Sequence, residues 1–488
     1  MIEASRSTRL LAVLAATVAV TACATGDGPP VAAAPAPLAW GACPDGGAEI
    51  GMECASLDVP VDPDRPEGRR ITLALGRLPA SGPEPAEGSL LINFGGPGAP
   101  GIALLRERAH AAFAQLRERM DIVTWDPRGY GAIVGGRSTA LHCDWTSMVR
   151  PRTPAFPADQ AAFDALAAEN REIATACRDT DPELFDHMDS AGNAADMEAI
   201  RQALGEPRLD YYGASYGGVF GQAYARLFPD TVGTMMFDGT GDHATADWDR
   251  TLEAIARSSD VQFQRFLDGC AADPGCALHG SDAGARWRQL VAAADREPVP
   301  ALRAAGVRYT GTELQSLAML QIRRGPEGWA GLAAAVVAAE QGDASGFAPP
   351  GRSPYPMVGT PGVTECLEYP RYRNGAHVAA TVQRIRSVAP NTGVGHPLVA
   401  HGLTCVGWPA PVTNPPAPLP DGVPPLLGAG TWGDFDGTAR VLAQVPGSVT
   451  IFHDGPGHVL YTSGNACVVE HANRYFLEGM LPPPGTTC

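Results

Sequence analysis

The chain lacks what would direct it to nucleic acid, to a metal or through a bilayer. Cations are outnumbered, with 36 Lys and Arg against 53 Asp and Glu for a formal net charge of −17. A phosphate-tracking surface needs concentrated cations, so nucleic acid is excluded as a partner. No two of the 11 cysteines stand two to four residues apart, the spacing that structural zinc sites use. No apolar run approaches the ~20 residues that cross a membrane as a helix, and no internal repeat points to a solenoid. Disorder is excluded too, because 45% of the residues are apolar and only 18% are charged, enough to bury a large core. The acidity reads as a solvated surface that would favour a cationic substrate by long-range steering.

At the N-terminus, Arg6 and Arg9 precede the short apolar run Leu10 to Val20, the pattern of a cleaved export signal over residues 1–22. The string Val20-Thr21-Ala22-Cys23 resembles the lipobox of bacterial lipoproteins, which implies a lipid on Cys23 and a membrane as its partner. Residues 23–39 hold mostly Pro, Ala and Gly and read as a tether. Setting Cys23 aside leaves an even number of cysteines, as expected for paired thiols outside the cytoplasm. The simplest nearest-neighbour scheme joins Cys43–Cys54, Cys143–Cys177, Cys270–Cys276, Cys366–Cys405 and Cys467–Cys488.

Beyond Trp40, β-rich runs alternate with helical ones. Strands are predicted over Arg70 to Leu78, Ser89 to Phe94, Asp121 to Trp125, Leu209 to Tyr212 and Thr234 to Phe237, with helices over Ala158 to Cys177 and Ala194 to Leu204. Such alternation predicts an α/β fold, a mainly parallel sheet covered by helices on both faces. After Asp238 the strand signal stops, Asp247 to Leu267 and Trp329 to Gln341 read as helices, and strands resume at Pro425 to Ala429 and Ser448 to Phe452. The expected organisation is a first core part over 40–240, a helical cap inserted over 241–420 before the last two strands, and a second core part over 421–488.

The chemistry is carried by Gly213-Ala214-Ser215-Tyr216-Gly217, lying between a predicted strand and the helical run Gly218 to Phe228. A serine hydroxyl becomes a nucleophile when it is held on a sharp strand-to-helix turn beside a base, and small flanking residues permit that turn. Ser215 is therefore the candidate nucleophile. Upstream, Asn93 to Gly98 forms a glycine-rich loop without the Lys-Ser/Thr ending of a phosphate-cradling loop; with the N–H of Tyr216, the N–H of Gly96 is the expected oxyanion donor. Chain order in this fold class puts the acid and then the histidine after the serine. His458, on a loop after Ser448 to Phe452, is the candidate base, with His453 as runner-up, while His110, His187 and His471 read as surface or core residues. Asp434 is the candidate acid, with Asp436 and Asp238 as competitors. No metal or organic cofactor is needed.

Taken together, these motifs resemble the actinobacterial tripeptidyl aminopeptidase family, exported α/β-hydrolase serine peptidases related to proline iminopeptidase and including mycobacterial envelope serine proteases. The likeness rests on Asn93 to Gly101, Asp121 to Gly131, Gly213 to Gly217, Gly430 to Asp434, Gly455 to Tyr461 and the closing Gly464 to Cys488. It implies an α/β-hydrolase fold, Ser215 as nucleophile, His458 as base, Asp434 rather than Asp436 as acid, and release of short peptides, typically tripeptides, from free N-termini. Relatives commonly continue after the acid with Pro and a Thr-Pro step, whereas this chain has Phe435-Asp436-Gly437-Thr438-Ala439, so a different pocket wall is expected. An aminopeptidase must bind an α-ammonium, for which Glu365 and Glu368 are the candidates. Two other functions use the same residues differently: a cell-envelope esterase or lipid hydrolase with the same triad, and a catalytically silent peptide-binding lipoprotein.

Overall fold

The structure, a computed structural model, describes residues 38–131, 136–143, 156–348 and 362–488. The export signal and Cys23 lie outside the described residues. Nine strands form one sheet: β1 (Gly41–Ala42), β2 (Glu53–Pro60), β3 (Arg70–Leu78), β4 (Ser89–Asn93), β5 (Asp121–Trp125), β6 (Leu209–Ala214), β7 (Val232–Asp238), β10 (Leu427–Gly430) and β11 (Val449–Phe452), while β8 (Val299–Pro300) and β9 (Arg308–Tyr309) pair separately. The order across the sheet is β1-β2-β3-β5-β4-β6-β7-β10-β11. From β5 to β11 every neighbouring pair is parallel, and β1, β2 and β3 are attached antiparallel.

Period-two alternation explains why both faces need helices. On one face Leu91, Val123, Trp125, Tyr211 and Phe237 share a core with Met197 and Phe220 from the helices Ser190–Leu204 and Tyr216–Leu227. On the other, Leu90, Ile92, Ile122, Tyr212, Met236, Ala429 and Ile451 pack against Ile102, Phe113, Tyr461 and Phe476. Local signals fix the helix ends: Asp189 accepts from Gly192 N at 2.8 Å to start Ser190–Leu204, which stops at Gly205 with φ 77°, an N-cap and a left-handed C-cap.

Between β7 and β10 the chain is mostly helical. The helices Trp248–Ala272, Ala283–Arg296, Gly311–Ile322 and Pro326–Glu340 bury Phe263, Phe266, Trp287, Leu317 and Val336 together in a core of their own. The helices Val363–Glu368, Gly375–Val388 and Pro397–Thr404 follow. Val363, Cys366, Leu367, Cys405 and Trp408 join the main core beside Leu426, so this later stretch is welded to the sheet. All five expected disulfides are present: Cys43–Cys54, Cys143–Cys177, Cys270–Cys276, Cys366–Cys405 and Cys467–Cys488. No helix among the described residues is long and apolar enough to cross a membrane.

The strands that sequence patterning does not reveal are β1, β2 and the β8–β9 ribbon. Three of the four are two residues long, below any period. In β2, Asp58 and Pro60 interrupt the apolar run, which is tolerable this close to the antiparallel end of the sheet.

Candidate active site

Every loop of interest leaves the C-terminal end of a parallel strand, where open α/β sheets place their sites. At the end of β6 the chain reverses into the helix Tyr216–Leu227 through Ser215, whose φ of 55° and ψ of −122° are unusual for a residue with a side chain. Such a conformation costs about 1–3 kcal/mol and persists only where packing imposes it. Here a Cβ on Gly213 would lie 2.6 Å from Gly217 O, one on Gly217 2.7 Å from Asn93 O, and one on Gly218 2.3 Å from Thr240 Oγ1. The small flanks thus let the turn seat, and the N–H of Ser215 donates to Asp238 O at 2.8 Å.

The loop after β4 lies directly on this turn. Asn93 Oδ1 accepts from Gly95 N at 2.8 Å, and a Cβ on Gly95 would come within 2.7 Å of Tyr216 N and 3.0 Å of Ser215 Cβ. Among the described residues no acceptor takes the N–H of Gly96 or of Tyr216. Both N–H groups are thereby free to donate.

Asp434 and His458 meet in a hydrogen bond of 2.8 Å between Oδ2 and Nδ1. The other carboxylate oxygen, Oδ1, accepts from Thr431 N at 2.6 Å, and the Thr431 hydroxyl lies 3.0 Å from Gly457 O, so one threonine ties the acid loop to the histidine loop. The imidazole is 53% exposed in its side chain and the acid only 14%, leaving the other ring nitrogen open to a substrate. A Cβ on Gly239 would lie 2.8 Å from Asp434 Oδ2 and 3.3 Å from His458 Cε1. Since Asp238 accepts the Ser215 N–H, the Asp434–His458 pair and the serine turn converge on Asp238–Gly239.

The competitors are placed elsewhere. Asp436 is exposed in the first turn of the helix Phe435–Leu442. His453 Nδ1 is bonded to the Cys488 carbonyl at 2.7 Å, which anchors the C-terminus. Asp238 is fully buried and accepts from Tyr212 Oη at 2.9 Å, Leu460 N at 2.9 Å and Tyr461 N at 2.8 Å. Burial pushes its carboxyl up to about 6 against the pull of those donors; it holds the histidine loop in place. The sequence motif gives no hint of that role, because two of the three donors, Leu460 N and Tyr461 N, come from more than two hundred positions away.

Glu365 and Glu368 lie on the helix Val363–Glu368, reached from the nucleophile through Tyr216, whose hydroxyl donates to Glu368 Oε2. The two carboxyls differ. Glu368 also accepts from Ser190 N and, at 3.2 Å, from Asn414 Nδ2, and burial lifts it to about 7. Glu365 is buried with Oε2 unbonded among the described residues, and burial lifts it to about 8. Glu365 therefore has unused accepting capacity where Glu368 is already engaged. The single cluster of metal-ligand types among the described residues, Cys467, His471 and Cys488, offers no thiolate because both cysteines are joined in a disulfide.

Comparison with known proteins agrees with this architecture. A family described as the alpha/beta hydrolase fold matches residues 90–290, and one described as TAP-like protein matches residues 391–488. The serine protease Hip1 of Mycobacterium tuberculosis is 28% identical, with 93% of this chain and 91% of that protein covered. Carboxylesterase B of the same organism is 30% identical over 89% of this chain and 86% of its own length. Tripeptidyl aminopeptidase of Streptomyces lividans is 32% identical over 51% of this chain and 47% of that protein.

Proposed function

The chain belongs to the tripeptidyl-aminopeptidase-like family of α/β-hydrolase serine peptidases, and on that premise we propose that it releases short peptides, tripeptides foremost, from free N-termini through an acyl-enzyme on Ser215. The observation that carries this reading is the Asp434–His458 bond seated on Gly239 beside the strained Ser215 turn. In the proposed reaction His458 accepts the Ser215 proton as the hydroxyl attacks the scissile carbonyl, and Asp434 holds the imidazole and stabilises its cation. The N–H groups of Gly96 and Tyr216 take the oxyanion. His458 then protonates the departing amine, and water enters by the same route in reverse to free the peptide acid.

The test is Ser215-dependent turnover of a tripeptidyl-aminocoumarin with a free amine, set against its N-acetylated twin and a p-nitrophenyl ester. Cleavage of the free-amine peptide and not of its N-acetylated twin is expected, with the activated ester reporting the triad alone. The second reading, an envelope esterase, draws on the likeness to carboxylesterase B; ester turnover without peptide turnover would select it.

Glu365, with Glu368 on the same helix, is proposed to receive the substrate α-ammonium. The free carboxyls are raised to about 8 and about 7, so lowering the pH fills the site with protons and removes the negative charge that an ammonium seeks. Discrimination, measured as kcat/KM for the free-amine substrate over that for the ester, should fall as the pH drops from 8 to 6. Dividing by the ester rate cancels the titration of the shared base. Glu365→Gln should flatten the ratio, and an unchanged preference in both Glu365→Gln and Glu368→Gln would refute the assignment.

Gly239 supplies another expected result. Gly239→Ala places a methyl against Asp434 Oδ2 at a φ of 64°, and a shift of about 1 Å in a reacting group costs about 10²-fold in rate. kcat on the ester should fall by about that factor with KM nearly unchanged. Equal rates would mean that the acid–base pair does not depend on this contact.

The five disulfides suit an oxidising compartment. Export through residues 1–22 and a lipid on Cys23 are proposed from the sequence alone; the intact mass of the mature protein, with Cys23→Ala as control, checks both.

A further inference from the structure

One edge of the helical insertion closes over the acid and histidine loops. The helix Gly311–Ile322 ends at Arg323, and the chain turns at Gly325, where a Cβ would lie 2.6 Å from Pro456, two residues before His458. Trp329 then stacks on Trp432, two residues before Asp434, with ring centroids 6.5 Å apart and planes 15° apart. Arg265 also covers the Trp432 ring, its guanidinium carbon 4.6 Å from the centroid, and Trp432 Nε1 donates to Asp454 Oδ1 at 2.8 Å. Residues 323–329 therefore form a wall above His458 and Asp434, fixed by aromatic contacts.

Arg323 in this wall differs from the arginines that hold ion pairs. Arg77, Arg119, Arg178, Arg201 and Arg286 each pair with a carboxylate at 2.5–2.6 Å. The Arg323 side chain is exposed, Nη2 lies 3.2 Å from His396 Nε2, and no carboxylate among the described residues is within 4.0 Å. Protein nevertheless surrounds it closely enough to lower its pKa from the ordinary arginine value, with the Asp434 charge opposing. The exposed guanidinium is thus carried two residues from the Gly325 turn that packs on Pro456.

We propose that Arg323 is a specificity determinant that binds a carboxylate on the leaving-group side of the scissile bond. The side follows from the chemistry, because the amine departs toward the imidazole that protonates it, and Arg323 is two residues from Gly325, which packs against Pro456 in the loop that carries His458. The planar guanidinium suits a carboxylate in a two-point contact. Two groups supply one: an acidic side chain on the first leaving residue, or the C-terminal carboxylate of a short peptide.

This inference rests on the peptidase reading, and the experiment separates the two. Ala-Ala-Ala-Glu-amide, Ala-Ala-Ala-Gln-amide and Ala-Ala-Ala-Gln with a free C-terminus are compared by mass spectrometric product analysis. Wild type should favour a carboxylate-bearing peptide over Gln-amide by about tenfold in kcat/KM, and which of the two is favoured identifies the source. Arg323→Gln should bring the ratio near one while leaving Gln-amide turnover within twofold, and Arg323→Lys should keep part of the preference. If no peptide is cleaved, the peptidase reading fails, and Arg323 is tested instead on acetyl esters of 4-hydroxybenzoate and 4-hydroxybenzamide. A wild-type ratio of one for the substrate class turned over, or a preference that survives Arg323→Gln, overturns the proposal.

Discussion

Ser215→Ala should cut kcat on any substrate by about 10⁶-fold, and Asp434→Asn by about 10⁴-fold, while Asp436→Asn stays within twofold of wild type. The inequality between the two aspartates is the informative part. Asp434 accepts from His458 Nδ1 at 2.8 Å and is itself oriented by Thr431 N at 2.6 Å. An amide in its place can present its NH₂ group to Nδ1, which selects the tautomer whose other nitrogen carries a proton and cannot serve as base. Asp436 has no such contact and faces solvent. Steady-state kinetics on a p-nitrophenyl ester, with fluorophosphonate labelling to count competent serines, reads both. Labelling that persists in Ser215→Ala, or equal losses for Asp434→Asn and Asp436→Asn, would break the proposed triad.

What was legible in the sequence was local. Strand runs such as Asp121–Trp125 and Arg70–Leu78 are legible to the residue, because the first is a dense apolar run and the second opens with alternating exposed and buried residues, and no turn interrupts either. The strand-to-helix setting of Ser215 was legible for the same reason. The cysteine pairing was legible because every partner is the next cysteine in the chain, at separations of 6 to 39 residues. What was hidden depends on contacts between distant segments. Gly239 looks like any turn glycine until β7 and β10 are paired and Asp434 arrives beside it. Glu365 and Glu368, three residues apart on one short helix, could not be ranked from sequence, since the donors that engage Glu368 come from Ser190, Tyr216 and Asn414. The wall at Arg323 depends likewise on Trp329 meeting Trp432 across about a hundred residues.

The largest expected loss of stability comes from another pair, Arg128 and Asp196, which 68 residues of chain separate. Arg128 is 1% exposed and Asp196 0%, and they form a two-point contact, Nε to Oδ2 at 2.8 Å and Nη2 to Oδ1 at 2.6 Å. The remaining guanidinium hydrogens reach Val61 O at 2.7 Å, His187 O at 3.2 Å and Pro60 O at 3.2 Å, so all five donors are used. The pair binds the turn after β5 to the helix Ser190–Leu204 and to the end of β2, beneath the loop whose Tyr130 hydroxyl contacts Thr364 beside Glu365 at 2.9 Å. Arg128→Met leaves Asp196 buried and uncompensated, which costs about 3–5 kcal/mol, whereas removing both charges in Arg128→Met with Asp196→Leu should restore most of it. The pH dependence gives a sharper signature. Burial already raises the Asp196 carboxyl while Arg128 pulls it down, so removing Arg128 raises it further in the folded state. A folded-state pKa above the unfolded value gives stability that is present at low pH and lost as the pH rises. The deficit of Arg128→Met in urea unfolding should therefore be smaller at pH 5 than at pH 8. A deficit independent of pH would locate the loss in packing and carbonyl contacts and not in a stranded carboxylate.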